Sequence, residues 1–78
     1  MKLEINKLYK FIGPVHFGQD MGFYHGKLPD IIFQYLGPVG DTYRFIADGF
    51  GCTKNGEYGN GAIYIYDEES LQNIRKVE

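Results

Sequence analysis

Residues 31–47 read IIFQYLGPVGDTYRFIA, and this stretch decides the fold class. It holds two runs of β-branched and aromatic residues, 31–36 and 42–47, which are the residue types that strands favour. Residues 37–41, GPVGD, separate the runs and carry the Gly, Pro and Asp residues typical of turns. Two strand-like runs joined in this way predict an antiparallel hairpin with residues 37–41 as its loop.

The same period of two continues on both sides of this hairpin. In chain order, strands are predicted at residues 9–12, 15–17, 22–25, 31–36, 42–47 and 62–66. A second hairpin is expected around Asn55-Gly56, a pair that tolerates positive φ, with one arm near residues 50–53 and the other at 62–66.

The last residues change character. Asp67 can cap a helix whose first turn holds Glu68 and Glu69, where the helix dipole favours acidic side chains. Either one helical turn precedes a last short strand, or the helix continues to Lys76. The chain is therefore predicted to be all-β, or β-rich with one short C-terminal helical turn.

Alternation also predicts which side chains face the core. The predicted inward-facing side chains are Tyr9, Phe11, Ile31, Phe33, Tyr35, Tyr43, Phe45, Ala47, Ile63 and Ile65. Tyr64 and Tyr66 then lie on the opposite face, where a hydroxyl reaches water or a partner. Ile32, Leu36 and Ile46 add more apolar surface than one small core needs, and such a surplus marks a surface for a partner or for self-association.

The composition is that of one small globular domain spanning residues 1–78. Hydrophobic residues make up 44% and charged residues 23%, and 7 Tyr and 6 Phe supply large rings for burial. A chain of this length buries about 60–65% of its unfolded surface, which rules out a second domain and a deeply enclosed active site. The formal net charge of −2 predicts no general attraction to nucleic acid or anionic lipid.

The sequence predicts a cytoplasmic protein. Its first residues hold no apolar stretch typical of a signal peptide, and no run approaches the roughly 20 apolar residues of a membrane span. Cys52 is the single cysteine, so an intrachain disulfide is impossible and a reducing compartment is expected.

Candidate catalytic and metal-binding groups lack the patterns that such sites need. His16, Asp20, His25 and Cys52 could supply metal ligands, but their spacing matches no standard zinc site, so the histidines are expected at the surface or rim. The glycine-rich residues 56–61 lead into a strand instead of a helix, which predicts a hairpin loop and not a phosphate loop. No nucleophile, base and orienting group occur together. The chain is therefore predicted not to be an enzyme and to need no metal or cofactor.

The most distinctive segment is 17–27. It contains four large apolar side chains spaced by glycines: Phe17, Met21, Phe23 and Tyr24. Two readings are open. Two of these side chains plug one end of the core, or the side chains left outside form a recognition patch.

Four pieces of the chain follow one layout: an opening strand at 6–11 (NKLYKF), a long glycine-bearing first loop, the hairpin 31–47, and the closing segment 63–71 (IYIYDEESL) with its tail. This layout resembles the small SH3-like β-barrel proteins of bacteria and their phages. The resemblance implies a strongly twisted barrel of about five antiparallel strands, ending in one helical turn and a brief last strand. It implies no functional residue, because this fold hosts many unrelated roles.

The leading functional hypothesis is a non-enzymatic protein-interaction module, such as a phage-encoded inhibitor of a host protein or a self-associating barrel. It rests on the surplus of apolar rings. The candidate binding residues are Phe23, Tyr24, Arg44, Tyr58, Tyr64 and Tyr66.

Two alternatives belong to other classes. In a barrel that binds single-stranded nucleic acid, Tyr64 and Tyr66 would stack on bases while Arg44, Lys10 or Lys54 contacts phosphates. Nucleic acid is the less expected partner because only 8 cations are spread over the chain. In a nucleotide-binding oligomer that acts as a sponge, the pocket would lie at a subunit boundary, since one thin core cannot enclose a ligand.

Overall fold

The computed structural model describes residues 2–19, 22–47 and 62–77. Over these ranges the chain is all-β, as predicted, with one short 3₁₀ helix. The strands are β1 (Leu8–Phe11), β2 (Pro14–Gln19), β3 (Gly22–Lys27), β4 (Phe33–Val39), β5 (Thr42–Ile46), β6 (Ile63–Ile65) and β7 (Ile74–Lys76), and the 3₁₀ helix spans Glu69–Asn73. The described residues thus hold seven strands, more than the five or so of the expected barrel, and residues 14–27 form a complete hairpin, β2 and β3.

The strands form one sheet in the order β3-β2-β6-β5-β4-β1-β7, and all neighbouring pairs are antiparallel. β1 and β2 lie near opposite ends of this order, although only Ile12 and Gly13 separate them along the chain. So short a connection requires the twisted sheet to curl until its two ends approach each other.

The 3₁₀ helix bridges these two ends. The Ile12 N–H donates to the Asn73 carbonyl (2.7 Å), and the His16 N–H donates to Ser70 Oγ (2.8 Å). The Asn73 side-chain amide donates to the carbonyl of Pro14 (2.6 Å). Within the described ranges no ladder joins β3 to β7, so the sheet there is open instead of the expected closed barrel.

The central hairpin is tighter than predicted. Its strands are β4 and β5, so only Gly40 and Asp41 form the turn, and the pair Val39 and Thr42 closes it. Gly37 was expected in the loop, but it lies inside β4 with φ +107°, next to a shift in register after Tyr35. This positive φ, which glycine adopts without strain, lets the strand pass through a bulge and continue.

The core confirms most of the predicted inner faces. Its buried members are Tyr9, Phe11, Val15, Phe17, Leu28, Phe33, Tyr35, Phe45, Ala47, Ile63, Ile65, Leu71 and Ile74. Ile31 and Tyr43 were also predicted to face inward, and they are only partly buried against this core. The ring of Phe11 makes edge-to-face contacts with Phe33 and Phe45, with centroids 5.0 and 5.2 Å apart, a favoured geometry for aromatic pairs.

The C-terminal tail forms one short helix followed by a last short strand, the first of its two predicted arrangements. The helix ends where Ile74 turns to extended backbone (φ −116°, ψ 136°), and Ile74 pairs with Phe11 at the start of β7. The N-cap is Glu68 and not the predicted Asp67, but Asp67 Oδ1 accepts the Ser70 N–H at 3.3 Å and so satisfies one donor of the first turn. Over the ranges described, no helix has both the length and the apolarity that crossing a bilayer requires.

Candidate interaction surface

One row of side chains crosses four strands on the face opposite the core. Gly18 of β2 pairs with Phe23 of β3 on one side and with Tyr64 of β6 on the other, and Tyr64 pairs with Arg44 of β5. Because Gly18 has no side chain, β2 contributes nothing to fill the space between Phe23 and Tyr64. A Cβ at position 18 would meet the Phe23 ring at 3.7 Å, an ordinary van der Waals contact, so that ring forms the near wall of the gap.

This gap is part of a groove of about 290 Å³, which we call the aromatic groove. It is lined by Gly18, Gln19, Gly22, Phe23, Thr42, Tyr64 and Tyr66. The ring of Phe23 is 78% exposed, the highest value among the large hydrophobic side chains that are described. The groove therefore presents rings that a soluble chain usually keeps from water.

Two donors beside the groove are buried and have no acceptor within residues 2–19, 22–47 and 62–77. Arg44 lies with its guanidinium carbon 5.9 Å from the centre of the Tyr64 ring, within cation–π range. Its Nε, like the side-chain nitrogen of Gln19, has no hydrogen-bond acceptor among the residues that the structure describes.

A second depression of about 350 Å³ adjoins the groove, and we call it the acidic pocket. It is lined by Pro38, Gly40, Asp41, Thr42, Tyr43, Tyr66, Asp67 and Glu68. Thr42 and Tyr66 line both depressions, so they share a wall. The described lining of the acidic pocket has three carboxylates and no Lys, Arg or His.

The carboxylate of Glu68 is held at the acidic pocket by Tyr43. The Tyr43 hydroxyl donates to Glu68 Oε1 at 3.1 Å. This hydrogen bond to a carboxylate raises the pKa of Tyr43, and burial and the charge of Glu68 raise it further.

A cluster around two histidines lies beside Tyr66. The rings of His16 and His25, which are paired residues of β2 and β3, stack with centroids 4.1 Å apart and planes at 16°. His16 Nδ1 is 3.0 Å from Asp67 Oδ2. Burial raises the pKa of Asp67, but hydrogen bonds from Ser70 and the attraction and hydrogen bond of His16 outweigh burial and leave this pKa below its ordinary value.

The contacts of the histidine cluster are with other side chains of the fold. His16 is also near Tyr66, with ring centroids 6.3 Å apart, so the cluster supports one end of the aromatic groove. In the ranges that are described, no three His, Cys, Asp or Glu side chains gather as a set of metal ligands. From the sequence, both histidines were expected at the surface or rim. The pairing of His16 with His25 follows from the register of the β2–β3 hairpin. It can be predicted only if residues 14–27 are recognised as one hairpin.

The structure brings together four of the six predicted binding residues: Phe23, Arg44, Tyr64 and Tyr66. Tyr24 lies on the opposite face of β3, where its ring contacts the core residue Phe17 at 5.6 Å. Lys10, a candidate phosphate contact, is on β1 and forms an ion pair with Asp30 at 3.2 Å. The predictions for Asp20, Met21, Cys52, Lys54, Tyr58 and the hairpin around Asn55-Gly56 lie outside the described residues.

Sequence reasoning missed the residues that shape the groove between its rings. Gly18, Gln19 and Thr42 carried no functional prediction. A glycine inside a strand was the available signal, since it often marks a place where another group approaches the backbone. The resulting surface has the chemistry to bury an apolar group between rings and to place a cation beside it. No family model, curated protein or solved structure matches this chain.

Proposed function

We propose that this chain is a protein-interaction module that binds an extended segment of a partner protein in the aromatic groove. The observation that carries the proposal is the placement of Phe23, Tyr64 and Tyr66 around the side-chain-free Gly18. Tyrosine and other aromatic rings supply much of the binding energy at protein interfaces. Contact between Phe23 and Tyr66 holds the rings in place before a partner arrives, which lowers the entropy cost of binding.

The size of the groove supports a peptide over a nucleotide. Sites for small molecules usually enclose about 300–1,000 Å³. At about 290 Å³ the aromatic groove lies just below that range, and it is open on one side of a single sheet. It therefore suits one or two apolar side chains of a longer segment better than a whole nucleotide.

The acidic pocket argues against single-stranded nucleic acid as the occupant. Tyr64, Tyr66 and Arg44 would suit base stacking beside a phosphate. However, Asp41, Asp67 and Glu68 lie on the far side of the wall that Tyr66 forms, and they would repel a backbone that continues past the groove. Nucleic-acid binding is therefore the second candidate function, after peptide binding.

The curled sheet bridged by a 3₁₀ helix supports an SH3-like arrangement, with the hairpin of β2 and β3 as its long first loop. A phage-encoded inhibitor of a host protein, acting in the cytoplasm, is the form of the proposal that the chain's small size favours.

A random dodecapeptide library displayed on yeast tests the proposal. The immobilised wild-type chain should enrich peptides with an apolar residue in common. Fluorescence anisotropy on one enriched peptide should show that Phe23→Ala weakens binding by about tenfold or more, as expected for a ring at the centre of an interface. Tyr24→Ala is the matched control, because it removes a half-exposed ring from the other face of the same strand. It should change affinity by less than about twofold.

Two outcomes would overturn the proposal. One is peptide binding that Phe23→Ala leaves unchanged. The other is a chain that enriches no peptide but retains a labelled oligothymidylate at low salt, with affinity falling steeply as salt rises. Circular dichroism of each variant establishes that the fold is retained.

A further inference from the structure

We infer that the bound segment carries an arginine or lysine, whose cation occupies the acidic pocket while an apolar side chain of the same segment fills the aromatic groove. This inference rests on the proposed function and adds the chemistry of the partner. It is carried by charge complementarity: an apolar groove continues through a shared wall into a depression edged by carboxylates.

The position of the two depressions sets the spacing within the partner. They share Thr42 and Tyr66, so the two depressions adjoin each other. In an extended segment, side chains at positions i and i+2 point to the same side and lie about 6.5–7 Å apart. An apolar residue and a basic residue separated by one position would therefore reach the groove and the pocket together.

The carboxylates are placed to receive a cation. Asp41 is exposed in the turn between β4 and β5, and Glu68 is exposed after β6, so both can approach a cation that enters from solvent. Both oxygens of Asp67 already have partners, His16 and Ser70. Asp67 therefore contributes its negative charge to the pocket and not an unpaired oxygen. The rings of Tyr43 and Tyr66 border the same pocket, and aromatic faces attract cations.

The test repeats the dodecapeptide selection with two additional baits. One bait carries Asp41→Asn together with Glu68→Gln, which removes two charges but keeps an acceptor for the Tyr43 hydroxyl. The control bait carries Asp30→Asn, which removes an exposed carboxylate that lines neither depression. Wild-type and control baits should enrich a basic residue two positions from the apolar residue, and the double variant should enrich the apolar residue alone.

The affinities of synthetic peptides measure how much the basic residue contributes to binding. Replacing the basic residue of the enriched peptide with glutamine should weaken binding to the wild-type chain about five- to tenfold, and to the double variant less than about twofold. Added salt should reduce the difference on the wild-type chain.

The outcomes separate this inference from the proposed function. Enrichment of apolar residues with no basic preference would overturn the cationic site while leaving the groove as a binding site. An equal basic preference on the double variant would also overturn it, because the carboxylates would not be the cause. Enrichment that does not depend on Phe23 would overturn the proposed function itself.

Discussion

The ring of Phe23 meets the ring of Tyr66 edge-on, with 5.3 Å between the centroids and 86° between the planes. The two residues are far apart along the chain, and the pairing of the β2–β3 hairpin with β6 places Phe23 next to Tyr66. An exposed ring held by another ring is a preformed contact surface, because neither must be ordered when a partner binds.

Removing the Phe23 ring should leave the fold nearly as stable as before. The ring is 78% exposed, so Phe23→Ala loses little more than the contact with Tyr66, worth about 0.5–1.5 kcal/mol. Phe45→Ala is the contrast, because that ring is fully buried and its loss should cost about 3–5 kcal/mol in the free energy of unfolding. Urea denaturation followed by circular dichroism measures both. Equal losses would mean that Phe23 belongs to the core.

Alanine at two glycines should have opposite effects. At Gly18 a Cβ would meet its nearest atoms at 3.7 Å, an ordinary contact, so Gly18→Ala should be neutral or stabilise the fold by up to about 1 kcal/mol. At Gly37, φ is +107° and the Cβ would meet Ile5 Cδ1 at 3.3 Å. Gly37→Ala should therefore cost more than about 1 kcal/mol. Thermal and urea denaturation compare the two, and a tolerated Gly37→Ala would argue against the bulge.

Ser70→Ala should weaken the link between the 3₁₀ helix and β2. The Ser70 hydroxyl, 3% exposed as a residue, accepts the His16 backbone N–H at 2.8 Å. Leaving that N–H unpaired should cost about 1–3 kcal/mol in unfolding free energy. Amide hydrogen exchange should show faster exchange at His16. Gln72→Ala, an exposed position on the same helix, is the control and should change neither quantity.

The carboxylate of Asp67 should make stability fall in acid. Because the pKa of Asp67 is lower in the folded chain than its ordinary value, the ionised form stabilises the fold. This contribution is complete above the unfolded pKa, near 4, and is lost as pH falls through the folded pKa. Asp67→Asn should thus be less stable than wild type at pH 7, by about 1 kcal/mol or less at this partly exposed site, and the gap should close as the pH falls through the folded pKa of Asp67.

The measurement for this prediction is urea denaturation at a series of pH values. A gap between Asp67→Asn and wild type that stays constant from pH 7 to pH 3 would contradict a role for the charge. Asp30→Asn, which removes a carboxylate with an 80% exposed side chain, is the control and should show no comparable dependence on pH.

The strands and their inner faces could be predicted because they depend on neighbours in sequence. Alternation in residues 42–47 placed Phe45 and Ala47 inside, and the same rule placed Ile63 and Ile65 there. The turn between β4 and β5 was predicted too long, because a bulge at Gly37 depends on how the two strands pair and not on local propensity.

The amino-acid sequence alone determined that this is a β chain with more rings than its core holds, because burial and a period of two are local properties of residue type. Tertiary structure decided which rings meet. Phe23 meets Tyr66 while Tyr24 turns to the other face, and His16 meets Asp67 across 51 positions of sequence. The physical reason is register: a shift of one residue in the pairing of β2 with β3 or β6 would turn every side chain on the shifted strand to the other face.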